Sequence, residues 1–544
     1  MMMKIVKTAP FQDQKPGTSG LRKKIVHATQ ENYLENFVQS MMDLLAEKEK
    51  SLLVLGGDGR YYNDQAIQLI IKIAAANGVE RLLIGQRGIL STPAASHLIR
   101  HYSAGGGIVL SASHNPGGKD GDFGIKFNNA SGSPAPESFT SELFELTKKI
   151  SEYRILESDD IDLSKLGRSV VGDMQIDVLD AVADYQDMLA KSFDMTWLKE
   201  EFSRGKLSLA FDAMHAVTGP YAKVIFGQTL GEKPDNIVNA VPLEDFGGGH
   251  PDPNLVHAKD LVAKMYSKNS PLLGAASDGD GDRNLILGAS TFVSPSDSLA
   301  VIAEHAHLIP QFSGGLRGVA RSMPTSTALD RVAIDKGIPC YETPTGWKFF
   351  GNLLDAGMIN LCGEESFGTS GDHIREKDGL WAVLCWLTIC GKTNKAPHEL
   401  LRDLWQKYGR SYYCRYDYEG VPQALADQVM KELKDKLTDL KGVTFGGFEV
   451  LDADSFSYVD PVDNSSTHNQ GFRIFLRGGH RVIYRLSGTG TDNATIRVYL
   501  ELLEKDTAKI DGDVFETLKG LGNVANELAN VTSITGFVEP SVVT

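Results

Sequence analysis

An α/β protein of several domains, its sheets mainly parallel and its chain finished by a smaller α+β domain, is predicted by three observations. The 544 residues exceed what one hydrophobic core comfortably encloses, so about three to four domains are expected. Apolar runs of strand length alternate with amphipathic segments through most of the chain, which is the order of βαβ units. Past residue 410 the order becomes strand, helix, strand, strand, which suits an antiparallel component.

In order along the chain, Gly17-Thr18-Ser19-Gly20-Leu21-Arg22-Lys23-Lys24 sets small residues ahead of three cations. Backbone N–H groups and Arg22 in such a loop suit an anion. A solvated basic turn fits the same residues, and the spacing of a Walker A loop is missing. Asn32 to Glu49 carries Leu34, Phe37, Met41, Leu44 and Leu45 at helical spacing. Ser51 to Leu55 reads as a buried strand leading into Gly56-Gly57-Asp58-Gly59-Arg60. Asn63 is expected to cap a helix through Ala76, with Gly78 ending it. Arg81 to Gly85 is the next strand, and Thr92-Pro93-Ala94 opens another helix.

Gly105 to Leu110 then delivers Ser111-Ala112-Ser113-His114-Asn115-Pro116-Gly117-Gly118 to the end of a strand. Open α/β sheets bind ligands outside the carboxyl ends of their strands. Ser113 is therefore a hydroxyl placed to act as a nucleophile or to carry a phosphoryl group. On the octapeptide alone, a turn that caps itself by side-chain hydrogen bonds is the plainer reading.

The pattern recurs. Lys206 to Phe211 ends at Asp212-Ala213-Met214-His215, and Pro271 to Ala276 at Ser277-Asp278. Leu316 to Ser322 ends at Met323-Pro324-Thr325-Ser326, and Asn360 to Cys362 leads into Gly363-Glu364-Glu365-Ser366-Phe367-Gly368. No clear sequence repeat accompanies this layout, which nonetheless predicts similar α/β modules in succession. Tyr412 to Tyr418 is rich in aromatics, Ala424 to Leu440 looks helical, and Arg481 to Leu486 and Thr495 to Leu500 read as strands flanking a Gly/Thr loop. Breaks containing Pro and Gly place domain boundaries near residues 190, 294 and 410.

Composition excludes several classes. A net charge of −15 argues against nucleic acid as a partner. An anionic substrate then needs cations gathered locally in a cleft. Cys340, Cys362, Cys385, Cys390 and Cys414 are odd in number and scattered, without a C-x-x-C pair, which suits reduced thiols rather than a disulfide framework or a zinc site. Met1 to Pro10 lacks the apolar core of a secretory signal. The longest apolar run, Leu380 to Cys390, is too short to span a bilayer and reads as a buried helix. A cytoplasmic protein with no membrane partner is expected.

The strongest local signal is Asp278-Gly279-Asp280-Gly281-Asp282-Arg283. Three carboxylates at alternate positions, with glycines letting the backbone fold tightly, suit a hard divalent cation. They repel one another unless a cation sits among them. An EF-hand fails, because Arg283 stands where its glycine belongs and Ala289 where its bidentate glutamate belongs. Arg485-Leu486-Ser487-Gly488-Thr489-Gly490-Thr491, with Arg497 beyond, suits a phosphate clamp or a plain hairpin loop. Gly363 to Ser366 offers acceptors for sugar hydroxyls, or a solvated acidic loop. His373-Ile374-Arg375-Glu376-Lys377 gathers three basic groups that fit an exposed turn as well as a site. Lys126 follows the serine loop closely enough to return to it, where a lowered pKa is expected to fit it for proton transfer. A surface lysine is the alternative.

Together these residues resemble the α-D-phosphohexomutase superfamily, most closely its phosphoglucomutase branch. The resemblance spans nearly the whole chain, through Gly17 to Arg22, Ser113-His114-Asn115-Pro116, Asp278 to Arg283, Thr343-Pro344-Thr345-Gly346-Trp347-Lys348, Gly363 to Gly368 and Arg485 to Thr491. One departure is Ser111, where the family usually has threonine. The resemblance implies a heart-shaped, four-domain architecture around a cleft: three similar α/β domains with mixed sheets, and a smaller C-terminal α+β domain that serves as a lid. The domains implied are residues 1–190 with the phosphoserine loop, 191–294 with the metal loop, 295–410 with the sugar-recognition loop and 411–544 with the phosphate loop.

The same resemblance implies interconversion of α-D-glucose 1-phosphate and glucose 6-phosphate, with glucose 1,6-bisphosphate as intermediate and activator. Ser113 would be the phosphoserine, binding Mg²⁺ together with Asp278, Asp280 and Asp282. His114, Lys126, Lys377 and Arg283 would line the reacting centre, with acid and base unassigned among the first three. Arg22, Thr345, Gly346, Glu364 and Ser366, and Arg485, Ser487, Gly488, Thr489 and Arg497 in the last domain, would bind the phosphosugar. A monomer or dimer is expected. A sister enzyme for mannose or aminosugar phosphates, and a non-enzymatic relative of the fold, are the rivals.

Overall fold

The computed structural model describes every residue except Met1, Thr18 and residues 488–492. The chain divides into two compact units, Met1–Gly318 with Gly346–His398, and Val319–Thr345 with Glu399–Thr544.

The first unit opens on a seven-stranded sheet in the order Leu21–Lys24, Asp122–Asn129, Gly106–Leu110, Leu53–Gly57, Arg81–Ile89, Met174–Leu179 and Gly167–Val171. Its middle strands pair in parallel, while the ladders at both margins are antiparallel. The sheet is thus mixed rather than mainly parallel. A parallel return needs a crossover, usually a helix. Leu110 and Asp122 are joined without one, so the chain comes back antiparallel.

The same device appears in the next sheet, ordered Ile237–Val238, Leu209–Asp212, Leu273–Ala276, Leu285–Gly288, Thr291–Val293. Leu273–Ala276 pairs in parallel with Leu209–Asp212 but returns antiparallel through residues 277–284. Leu361–Glu364 and Gly368–Gly371 form a third antiparallel return. Each of three conspicuous polar segments is therefore the tip of a strand-and-return pair. The expected succession of similar modules is built around that tip.

Helices flank these strands. Leu34, Phe37 and Met41 of Tyr33–Leu44 join the core formed by Leu53, Leu55, Ile108 and Leu110. The helix read as Asn32 to Glu49 breaks at extended Leu45, and a short turn Glu47–Lys50 follows. Asn63 is not a cap: Tyr62 holds that position. The Asn63 amide instead donates to the Leu110 carbonyl and to Asp58 Oδ1, at 3.2 Å each. It ties the helix start to two strand exits. Gly78 ends this stretch in the left-handed region, at φ +80°. Ser91 caps Thr92–His101, accepting from the Ala94 N–H. The apolar run at Leu380 lies in helix Gly379–Thr393, buried from Gly379 to Cys390 and capped by Asp378. No helix among the described residues is long and apolar enough to cross a membrane.

The second unit carries a seven-stranded sheet, ordered Thr444–Phe445, Phe448–Ser455, Phe472–Leu476, His480–Ser487, Asn493–Glu504, Arg410–Pro422, Val542–Val543. Every ladder in it is antiparallel. Gln423–Lys436 and Val514–Ala529 bury Val429, Leu433, Leu518, Leu521 and Leu528 in the core that this sheet covers. Val319–Ser322 and Cys340–Thr343 pair in parallel in the same unit.

Candidate active site

Ser113 follows the strand Gly106–Leu110 by three residues and is 5% exposed. Its backbone is left-handed, with φ +53°, a conformation that costs a non-glycine residue roughly 1–2 kcal/mol. Local bonds hold it there. The Ser113 N–H donates to Ser111 Oγ at 2.7 Å, and its carbonyl accepts from Arg60 Nη2 at 2.8 Å. The Ser113 hydroxyl then donates to Asp278 Oδ2 at 2.9 Å, with His114 Nδ1 at 3.4 Å from the same oxygen. Residues 165 apart in sequence meet.

Two glycines make this approach possible. A Cβ on Gly279 would lie 2.3 Å from the Ser113 carbonyl oxygen, so no other residue fits there unless the loops separate. Gly281, at φ +81°, turns the chain so that Asp278, Asp280 and Asp282 converge. One oxygen from each of these buried carboxylates lies within 4.8 Å of the others.

Asp278 Oδ1 accepts from the N–H groups of Asp282 and Arg283, at 3.0 Å each. Asp280 Oδ2 accepts from Thr92 Oγ1 at 2.6 Å and lies 3.3 Å from Lys126 Nζ. Asp280 Oδ1 and Asp282 Oδ1 are buried without a hydrogen-bond partner. Burial, together with Asp282 and Asp280, pushes Asp278 well above the usual carboxylate range. Orphaned, mutually repelling carboxylate oxygens of this kind fit a hard divalent cation. The residues present therefore suit a divalent metal ion.

Cations ring this centre. Lys126, on the strand Asp122–Asn129, has its pKa raised: burial acts downward, but Asp280, Glu376 and Asp282 outweigh it. This reverses the expected lowering, because the acidic loop dominates over desolvation. Lys377 Nζ lies 3.4 Å from Asp282 Oδ2, and it too is raised, burial being outweighed by Asp282. Arg283 Nη1 reaches Asp252 Oδ1 at 3.3 Å, and its Nε lies 3.9 Å from Asp278. Arg22 pairs in register with Gly124 and lies near enough to Asp280 and Asp282 to feel their charge. Burial and then Arg283 and Arg22 hold His114 well below its ordinary pKa, hence neutral near pH 7.

The basic run at 373–377 is not an exposed turn. His373 Nε2 is buried against Asp378 at 3.0 Å, Arg375 Nε holds Asp355 at 2.5 Å, and Lys377 alone of the three approaches the aspartates. Glu364 is buried and accepts from the Gly346 N–H at 3.1 Å, which brings two expected sugar-binding positions together. Ser366 stands at the turn after the strand that carries Glu364.

Thr345, Arg485, Ser487 and Arg497 belong to the second unit. There Arg485 and Arg497 face each other across adjacent strands, and Ser487 faces Thr495. Like charges so placed repel, which suits an anion between them. Arg485 donates to the Tyr499 hydroxyl at 3.2 Å, and Arg497 Nε lies 3.7 Å from Asp417. Gly488 and Thr489 lie outside the described residues.

Comparison with known families places the chain by its domains. Three models described as phosphoglucomutase/phosphomannomutase α/β/α domains I, II and III match residues 13–154, 183–290 and 294–408. A model described as the phosphoglucomutase-1 C-terminal domain matches residues 410–541. A phosphoglucomutase from Rhizobium radiobacter is 52% identical over 543 residues, covering 100% of both chains. The chain belongs to the phosphoglucomutase family. Phosphoglucomutase-1 from Homo sapiens is 51% identical over 564 residues, again covering 100% of each. The open form of the Paramecium exocytosis-sensitive phosphoprotein parafusin, itself a phosphoglucomutase, superposes with a TM-score of 0.92 at 49% identity, covering 100% of this chain and 99% of that one. Family membership accounts for three α/β domains with mixed sheets followed by an α+β domain.

Sequence reasoning missed Arg60, Thr92, Asn128, Asp252 and Glu376, all of which hold the site. Glu376 accepts from Asn128 Nδ2 at 2.9 Å and stands 4.0 Å from Lys126. The signal available was Arg60 itself, a cation immediately behind glycines at a strand exit.

Proposed function

We propose that this chain is an isomerase that interconverts α-D-glucose 1-phosphate and glucose 6-phosphate through phospho-Ser113 and glucose 1,6-bisphosphate. The observation that carries this reading is the Ser113 hydroxyl, 2.9 Å from the carboxylate of Asp278 in a buried aspartate cluster. Asp278, Asp280, Asp282 and a phosphoserine oxygen would hold Mg²⁺, which when bound neutralises charge on the transferring phosphoryl group.

In one half of the cycle the Ser113 Oγ–P bond breaks, and a bond forms between phosphorus and a sugar hydroxyl oxygen. The sugar's proton ends on Ser113 Oγ. We assign carriage of that proton to His114, neutral and 3.4 Å from Oγ. Lys126, Lys377 and Arg283 stay charged and stabilise the equatorial oxygens electrostatically. Glu364, Ser366, Thr345 and Gly346 would read sugar hydroxyls. Arg22 would bind the substrate beside the reacting centre, while Arg485, Ser487, Gly488, Thr489 and Arg497 hold the phosphate that does not react.

We place the domains at residues 1–190, 191–294, 295–410 and 411–544, each supplying one of these loops. A cytoplasmic monomer or dimer acting on a free phosphosugar completes the proposal. A coupled assay with glucose 1,6-bisphosphate as primer tests it, run against mannose and aminosugar phosphates. Ser113→Ala should lose turnover and, by intact mass, the phosphoryl adduct. Near wild-type turnover in that variant refutes the assignment, and preference for another hexose phosphate moves the substrate.

A further inference from the structure

Arg60 takes no part in the chemistry described so far, yet it is 1% exposed and its guanidinium is fully committed. Nε donates to Asp58 Oδ2 at 2.9 Å and to Oδ1 at 3.1 Å. Nη1 donates to the Asp122 carbonyl at 2.9 Å and, at 3.4 Å, to the Asn115 carbonyl. Nη2 donates to the Ser113 carbonyl at 2.8 Å. Arg60 thus holds the serine loop at its reactive residue, two residues further on, and at the strand where the loop ends. Its own anchor, Asp58, follows the adjacent strand Leu53–Gly57.

The same group lies beside the aspartate loop. A Cβ on Gly279 would lie 3.3 Å from Arg60 Nη2, just beyond the Ser113 carbonyl that Nη2 holds. The ring of Phe246 lies under the guanidinium, 5.2 Å from its centroid. Burying a cation among carbonyls is expensive unless it is paired and fully hydrogen-bonded. Here it is both. One of its donors goes to the backbone of a residue in a strained left-handed conformation, Ser113.

We propose that Arg60 is a positioning residue: it fixes the backbone of Ser113 so that Oγ stays within bonding distance of the aspartate cluster. Lysine cannot replace it, because a point charge has no planar fork to reach Asp58, Asp122 and Ser113 together. The proposal rests on the reading of Ser113 as the phosphoryl carrier.

The test compares Arg60→Lys with wild type and Ser113→Ala in the primed assay, alongside single-turnover phosphorylation of the enzyme by glucose 1,6-bisphosphate. Displacement of a reacting group by about an ångström costs on the order of 100-fold in rate. Arg60→Lys should therefore lose roughly that factor in kcat and in the single-turnover rate. KM for glucose 1-phosphate should stay within about threefold, because the hydrogen bonds of Arg60 go to Asp58 and to the backbone of residues 113, 115 and 122.

A folded Arg60→Lys protein with wild-type kcat overturns the proposal, as does a rise in KM without a fall in kcat. Activity surviving in Ser113→Ala would instead overturn the reading beneath it. Should Arg60→Lys not fold, Phe246→Leu loosens the guanidinium without stranding a charge. A fall in its kcat at constant KM supports the positioning role, and an unchanged kcat overturns it.

Discussion

At the scale of single residues, the site depends on where small side chains let large charges meet. Gly279 is the clearest case. Its missing side chain is where the Ser113 carbonyl sits, so Gly279→Ala must push the two loops apart. The Gly279 N–H donates to the Pro251 carbonyl at 3.2 Å and its carbonyl accepts from the Val217 N–H at 3.4 Å, so the added methyl should lower stability while the distance between Ser113 Oγ and Asp278 grows. We expect kcat to drop about 100-fold with KM little changed, and thermal denaturation to show a folded protein. A variant with full kcat would mean that the approach of the loops is not what sets the rate. Lys126 teaches the complementary lesson. Its sequence neighbours suggest cationic crowding and a lowered pKa. The fold brings Asp280 and Glu376 to it from far along the chain and reverses the sign.

At the scale of elements, strand-and-return pairs aim the loops, and buried ion pairs hold strands in register. Glu501, on the strand Asn493–Glu504, accepts from Arg481 Nε at 2.7 Å, Ser411 Oγ at 2.7 Å and the Thr327 N–H at 2.8 Å. Burial acts to raise its pKa, but Arg481 and Arg331 outweigh it and bring it to about 2. A carboxyl depressed on folding contributes stability above its unfolded pKa, and that contribution is lost as pH falls through the folded value. Urea unfolding of the second unit should therefore lose about 2 kcal/mol between pH 5 and pH 3 on account of Glu501. Glu501→Gln, already weaker, should show a correspondingly smaller difference between the two pH values. An equal pH dependence in both proteins would remove Glu501 from the account.

Much at this scale is legible in the sequence. Apolar runs ending in Ser111-Ala112-Ser113 or Ser277-Asp278 announce buried strands and their exits, because burial on both faces demands continuous apolar residues. The Asn63 cap misleads, since an amide that suits an N-cap equally suits bonding to carbonyls of neighbouring strands. The antiparallel returns and the Arg60 clamp are hidden for a different reason. The returns are short strands whose polar tips suit a crossover equally, and the Arg60 clamp joins segments more than fifty residues apart that no local pattern pairs.

For the molecule as a whole, division into two compact units bears on how it should melt. Asp278, Asp280 and Asp282 all lie in the first unit, and a cation that binds only the folded carboxylates stabilises that unit alone. Mass action sets the size: at a concentration one hundred times its dissociation constant, a ligand adds about 2.7 kcal/mol. Calorimetry of the protein stripped with EDTA should therefore show two transitions. Added Mg²⁺ should raise the temperature of one and leave the other in place. Turnover should return with the same dependence on Mg²⁺ concentration, since one set of oxygens serves both effects. Asp280→Asn removes one formal charge from the cluster while keeping an oxygen donor, so both responses should shift together to higher Mg²⁺. Recovery of activity without movement of either transition would separate the catalytic ion from the aspartate loop. A single transition that moves as a whole with Mg²⁺ would show that the two units unfold as one.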